Sequence, residues 1–224
     1  MWMELSQLLK DIFYPNCCLE CERPTNTNSL FCSHCRKNLT KMFYNYEGKH
    51  PYSSLENYGY LYAYDGCIRT AFHQIKYAGA KHLLPRMSAE VRGNFPWADI
   101  QRKWLLPESL VVVPISTEPR RKKQRGYDIP REIFHLWSIE QHLPWEELLL
   151  RKEAVAPQYG LNKTERYRNV KDSFRAVKAI PNYNILLVDD IFTTGATMEE
   201  AARTLKAAGA SHVWGIAFSG GKDK

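Results

Sequence analysis

The segment Ile185-Leu-Leu-Val-Asp-Asp-Ile-Phe-Thr-Thr-Gly-Ala-Thr197 restricts this chain more than any other. Its four leading apolar residues read as a buried strand, and two carboxylates fall at the carboxyl end of that strand. A helix follows over 196–208, with Met198, Ala201, Ala202 and Leu205 on one face and Gly209 as its stop. Val213–Phe218 then reads as a second strand. Strand, helix and strand in that order predict a right-handed parallel crossover, and so an α/β sheet.

The same segment carries chemistry. The first amides of a helix have no intrahelical acceptor and sit at the positive end of its dipole, so Thr193, Thr194, Gly195, Ala196 and Thr197 are predicted to wrap a phosphate with amides and hydroxyls. Gly195 permits close approach and a positive φ. Asp189 and Asp190 would repel the phosphate itself, and suit instead the vicinal hydroxyls of a ribose or a Mg²⁺ ion. The ligand implied is a ribose 5-phosphate. No G-x-x-x-x-G-K-[ST] loop occurs, which speaks against an ATPase, and no internal repeat is visible.

Upstream, Leu110–Ile115 is a compact β-branched run that ends as a strand at Pro114, and Asn57–Tyr64 alternates tyrosines with small or polar residues. Cys67–Leu84 and residues 130–151 have helical rhythm. Leu5, Leu8, Leu9, Ile12 and Phe13 predict a short amphipathic helix over 3–13, ended by Pro15. Pro157–Arg175 is polar with few apolar anchors and reads as a functional loop, a flap. With 224 residues, the chain accommodates one main domain, placed at 51–224, and a small unit at 1–50.

Five of the six cysteines crowd into 17–35. Cys18-x-x-Cys21 and Cys32-x-x-Cys35 form two knuckles whose sulfurs can converge tetrahedrally on one Zn²⁺. Cys17 and His34 are alternative ligands, and Cys67 reads as a small apolar side chain. So short a segment cannot bury a core of its own, which makes the metal structural.

Formal net charge is +7, which points to anionic partners: nucleic acid, phosphorylated metabolites or an anionic surface. Positive charge is concentrated at 69–125 and 151–178. Arg120, Arg121, Lys122, Lys123 and Arg125 form either a solvated charge run or a holder of diphosphate or a nucleic-acid backbone. No apolar run approaches the roughly 18–20 residues that span a bilayer, and the N-terminal segment lacks the basic-then-apolar order of a signal peptide, so a cytoplasmic location is predicted.

In order, the acidic pair and T-T-G-A-T resemble the 5-phosphoribosyl-1-pyrophosphate (PRPP) signature of the phosphoribosyltransferase family. In that resemblance Val111-Val-Val-Pro-Ile-Ser116 supplies the earlier strand and loop, with Ile115 and Ser116 at the pyrophosphate. Adding the cysteine pairs, Arg125-Gly126-Tyr127 and the series Gln158, Arg166, Asn169, Phe174, nearly the whole chain resembles the ComF family. The resemblance implies an α/β fold: a type I phosphoribosyltransferase-like parallel sheet flanked by helices, with a small N-terminal zinc-binding module. It also implies a part in single-stranded DNA uptake during natural transformation, with an ATP-driven DNA translocase as partner. The chain departs from the family pattern at Asp128-Ile129, where Asn-Gln is usual, and at Val155, where threonine is common.

Arg166 and Arg168 are candidates to close over pyrophosphate, and Lys76, near Gly79, is either a further anion contact or an exposed helix lysine. Two functions fit. One is a Mg²⁺-dependent phosphoribosyltransferase with PRPP as donor and Asp189 and Asp190 at its catalytic centre. The other is a module that binds PRPP or a phosphoribosyl end, engaging single strands through basic loops and tyrosines.

Overall fold

The computed structural model describes residues 16–25, 29–38, 44–45, 52–152 and 170–221. The helix expected over 3–13, most of the flap, and with them Val155, Gln158, Arg166, Arg168 and Asn169, lie outside the described residues.

The apolar run at 185–188 is the centre of a longer strand. Strand β6 (Asn184–Phe192) pairs in parallel with β3 (Leu110–Pro114) on one side and with β7 (His212–Gly220) on the other. Beyond β7 lies β2 (Tyr58–Ala63), also parallel, and β1 (Tyr44–Asn45) closes that edge antiparallel, giving the order β1-β2-β7-β6-β3. The crossover from β6 to β7 is the helix α7 (Ala196–Ala207), as the sequence predicts. β4 (Leu149–Arg151) and β5 (Phe174–Ala176) form a separate antiparallel pair.

Side chains alternate across the sheet, so each face needs its own cover. Val113, Ile185, Leu187, Val213 and Ala217 meet Met198, Ala201, Ala202 and Leu205 of α7 and Leu149 and Phe174 of the small sheet. On the opposite face Val112, Leu186, Val188, Trp214, Ile216 and Phe218 meet helices α2 (Gly66–Tyr77), α3 (Leu83–Asn94), α4 (Trp97–Trp104) and α6 (Ile129–Glu140). Leu30 and Phe31 of the cysteine-rich segment, which holds the short helix α1 (Ser33–Asn38), belong to this second core.

Two expectations need correction. The helical rhythm at 67–84 is two helices: Gly79 takes φ +69° after α2, and α3 starts at Leu83. The helical pattern at 130–151 ends at Glu140, because Leu149–Arg151 is recruited as an edge strand by Phe174–Ala176, a long-range pairing that local periodicity does not carry. The basic run, to which the sequence assigns no element, is helix α5 (Pro119–Arg125), started by its proline and stopped by Gly126 at φ +78°. None of its residues is buried.

Candidate functional site

A cleft of about 460 Å³ lies across the carboxyl ends of β3 and β6, where open α/β sheets place their ligands. One wall is Asp189, Asp190, Ile191, Thr193 and Thr197; the facing wall is Ile115, Ser116, Thr117 and Glu118. The predicted phosphate loop and the predicted pyrophosphate loop therefore look at each other across one space.

Asp190 is ion-paired with Lys76 Nζ at 2.6 Å. Burial works against its ionisation, but the lysine outweighs burial and holds the carboxyl below its ordinary value. Asp189 is 8% exposed; burial and the adjacent Asp190 push its carboxyl well above the ordinary value. Its Oδ1 accepts the Asp190 amide at 2.8 Å. Two neighbouring acids thus hold different proton affinities. Lys76 is no exposed helix lysine: it stands at the last turn of α2, whose end is clasped by Arg125 Nε on the Lys76 carbonyl (3.2 Å) and by Tyr127 OH on the Ile75 carbonyl (2.8 Å).

Thr193 and Thr197 line the cleft. The Thr194 carbonyl accepts Tyr52 OH at 2.9 Å, Ala196 is buried, and Gly195 takes φ +69° directly beneath the Tyr52 ring. A β-carbon there would stand 2.2 Å from Tyr52 Cζ. The glycine is thus required by a packed tyrosine as well as by its backbone angle. Ser116 is held by donating its hydroxyl to the Leu149 carbonyl at 2.6 Å.

Of the basic run, Arg121 and Arg125 line the cleft, Lys122 lies 3.6 Å from Asp128, and Arg120 and Lys123 are not in the lining. Asp128, the departure from the family pattern, is buried and accepts Thr117 Oγ1 at 3.1 Å, so it shapes the loop after β3; burial raises its carboxyl above the ordinary value. Ile129 is a core residue.

Sequence reasoning missed Tyr64, Arg69 and Arg151 in the lining. Arg151 ends β4 with its guanidinium over the Phe174 ring, 5.3 Å from the centroid. Burial lowers its proton affinity, while Asp189 and Glu118 raise it. Among the described residues its side chain has no ion pair. The signal was faint: one arginine at the end of an apolar run, meaningful only once β4 is seen beside the cleft.

The four cysteines converge. The sulfurs of Cys18, Cys21, Cys32 and Cys35 all lie within 4.8 Å of one another, with Cys21 and Cys32 at 3.6 Å. A tetrahedron with metal–sulfur bonds of about 2.3 Å has edges of about 3.8 Å. None of the four is in a disulfide. Burial opposes ionisation of Cys18, but the backbone amides of Cys32, Cys21 and Glu20 bring its thiol down to about 6. The amide of Cys35 approaches Cys32 Sγ at 3.4 Å, and it helps lower that thiol as well. This donor set fits one metal ion. Cys17 lies outside the cluster, and burial pushes the half-buried Cys67 up to about 12.

Fold and site together define an α/β protein with a mainly parallel sheet, a polar cleft across the carboxyl ends of its strands and a four-cysteine cluster. No family model matches the chain. DNA utilization protein YhgH of Escherichia coli is 26% identical over 201 residues, 88% of this chain and 86% of that protein. Competence protein F of Haemophilus influenzae is 30% identical over 120 residues, covering 50% of this chain and 51% of the relative. Competence protein ComFC of Bacillus subtilis is 24% identical over 145 residues, 65% and 56% of the two chains. The chain is thus similar to proteins named for competence and for DNA utilization. The solved structure of the allosteric regulatory enzyme of purine biosynthesis covers 52% of this chain and 23% of its own, at 18% identity and a TM-score of 0.33. Among the described residues no helix is long and apolar enough to cross a membrane.

Proposed function

We propose that the cleft binds PRPP and that the protein acts in the handling of incoming single-stranded DNA during natural transformation. One observation carries the reading: the acidic pair, the hydroxyls of Thr193 and Thr197, the Ile115–Thr117 loop and the cations Lys76, Arg121, Arg125 and Arg151 line one space. A sugar with a phosphate at one end and a pyrophosphate at the other needs that distribution. The 5-phosphate takes the loop 193–197, the ribose hydroxyls donate to Asp189 and Asp190, and the pyrophosphate takes the loop after β3 and the arginines.

Lys76 neutralises Asp190 before the ligand arrives. On binding, the ribose hydroxyls compete for that carboxylate and Lys76 is free to turn toward pyrophosphate. Asp189 and Asp190 are oxygen donors of the kind Mg²⁺ takes, and the ion would supply charge neutralisation for the pyrophosphate when bound with it. The cysteine cluster would hold a structural Zn²⁺.

The DNA part of the reading draws on the relatives named for competence and DNA utilization and on α5, which borders the cleft and of whose basic residues none is buried. A single strand bound by such cations weakens steeply with salt. A cytoplasmic site of action and an ATP-driven translocase as partner belong to the same proposal. If the site also catalyses transfer, pyrophosphate is released from PRPP.

Thermal shift separates the ligand halves. PRPP with Mg²⁺ is expected to raise Tm more than ribose 5-phosphate or pyrophosphate alone at equal concentration, since only PRPP engages both loops. Equal shifts by pyrophosphate and PRPP would leave a mere polyanion site and sink the ribose assignment.

A further inference from the structure

Arg86 is a charged side chain in an unusual place. It lies on α3 and is 5% exposed, yet its partners are neutral: the carbonyls of Cys17 (2.7 Å) and Ser29 (2.5 Å), and Thr25 Oγ1 at 3.4 Å. Among the described residues no carboxylate stands within ion-pair distance of it. All three partners belong to the cysteine-rich segment, two of them in the stretch that joins the knuckles.

The buried acid beside it on α3 is already taken. Glu90, one turn along α3 and 2% exposed, accepts Arg36 at 2.5 and 2.8 Å and Tyr62 OH at 2.5 Å. The buried contact between α3 and the cysteine segment therefore holds two guanidinium groups against one carboxylate, an excess of one positive charge. Burying an unbalanced charge is costly unless something compensates it. Burial lowers the proton affinity of Arg86, and negative charge on Cys17, Cys18 and Glu90 works against that. A divalent metal held by four thiolates carries two negative charges, and this centre is set into the same core, with Cys18 1% and Cys35 8% exposed.

We propose that Arg86 is the counter-charge of the four-cysteine metal centre, a positioning residue that makes docking of the cysteine segment on α3 depend on metal occupancy. The inference rests on the metal reading of the cluster. With the metal present, the excess cation faces an anionic centre across the contact and offsets one of its two negative charges. With it absent and the thiols protonated, Arg86 is left against carbonyl dipoles alone, and the cysteine segment with Leu30 and Phe31 loosens from the sheet. Metal loss is thereby felt by the helix layer that also contains α2 and Lys76.

The test uses the full chain in three forms: wild type, Arg86→Gln, which keeps amide donors for the carbonyls but removes the charge, and Arg86→Lys, which keeps the charge but loses the fork. Zinc affinity is measured by competition with a chromophoric chelator, and Co²⁺ absorption reports whether four thiolates still assemble. Removing a group that supports metal ligands typically weakens binding about 10–100-fold. That loss is expected for Arg86→Gln, with recovery of most of it in Arg86→Lys and tetrahedral Co²⁺ bands in both. Wild-type affinity in Arg86→Gln, or a Lys variant no better than Gln, overturns the counter-charge role while leaving the metal site standing. A wild type that takes up no zinc overturns the metal reading itself, and this inference with it. Should Arg86→Gln fail to fold, near-wild-type zinc binding by Arg86→Lys supports the proposal, and loss of binding there refutes it.

Discussion

Replacing Gly195 with alanine should destabilise the protein through Tyr52 more than through the backbone. The residue sits at φ +69°, ψ −9°, where an alanine costs roughly 1–2 kcal/mol. Its β-carbon would lie 2.2 Å from Tyr52 Cζ and 2.3 Å from the hydroxyl, so the ring must leave. Departure breaks the hydrogen bond to the Thr194 carbonyl, worth about 1 kcal/mol, and edge contacts with Tyr58 (5.3 Å) and Phe192 (5.7 Å), each worth about 0.5–1.5 kcal/mol. Gly195→Ala should then cost about 3–6 kcal/mol, whereas in a Tyr52→Ala background only the backbone cost of about 1–2 kcal/mol remains. Urea unfolding of the four members of the cycle, without ligand, reads the coupling directly. An equal cost in both backgrounds would refute the assignment of the glycine to Tyr52.

Arg151→Met should lower PRPP affinity at least about tenfold, by calorimetry, with Tm nearly unchanged, because a half-buried cation with no ion pair among the described residues is lost while the stem still covers Phe174. Stripping zinc with a chelator should lower Tm by about 10 °C in a calorimetric scan, since Leu30 and Phe31 each contribute roughly 1.5–3 kcal/mol of burial to the core. Asp189 and Asp190 should respond oppositely to pH. The raised Asp189 contributes stability while protonated and loses it as pH rises above the ordinary carboxyl value; the lowered Asp190 contributes above that value and loses it on acidification. Asp189→Asn should accordingly raise Tm near about pH 7.5 and gain little near about pH 4.5.

Local patterns in the chain report local structure well. The run at 185–197 announced strand, acidic pair and helix opening because all three are consecutive, and the two CxxC knuckles announced a tetrad because each pair is preset by its own turn. What pairs across long distances stayed hidden. Arg151 enters the cleft only because β4 finds β5, and Lys76 meets Asp190 only because Arg125 and Tyr127 clasp the end of α2. Arg86 reads as one more cation among the many at 69–125; its burial depends on the cysteine segment folding over α3. Asp128 stood out only as a departure from the resembled pattern, yet its buried carboxylate accepts the Thr117 hydroxyl.

Titration of the full chain with PRPP and Mg²⁺ in a calorimeter, beside an Asp189→Asn/Asp190→Asn variant, tests the central claim most directly. One PRPP per chain, with binding abolished in the variant, is the predicted result; a wild type that gives no heat of binding would contradict it.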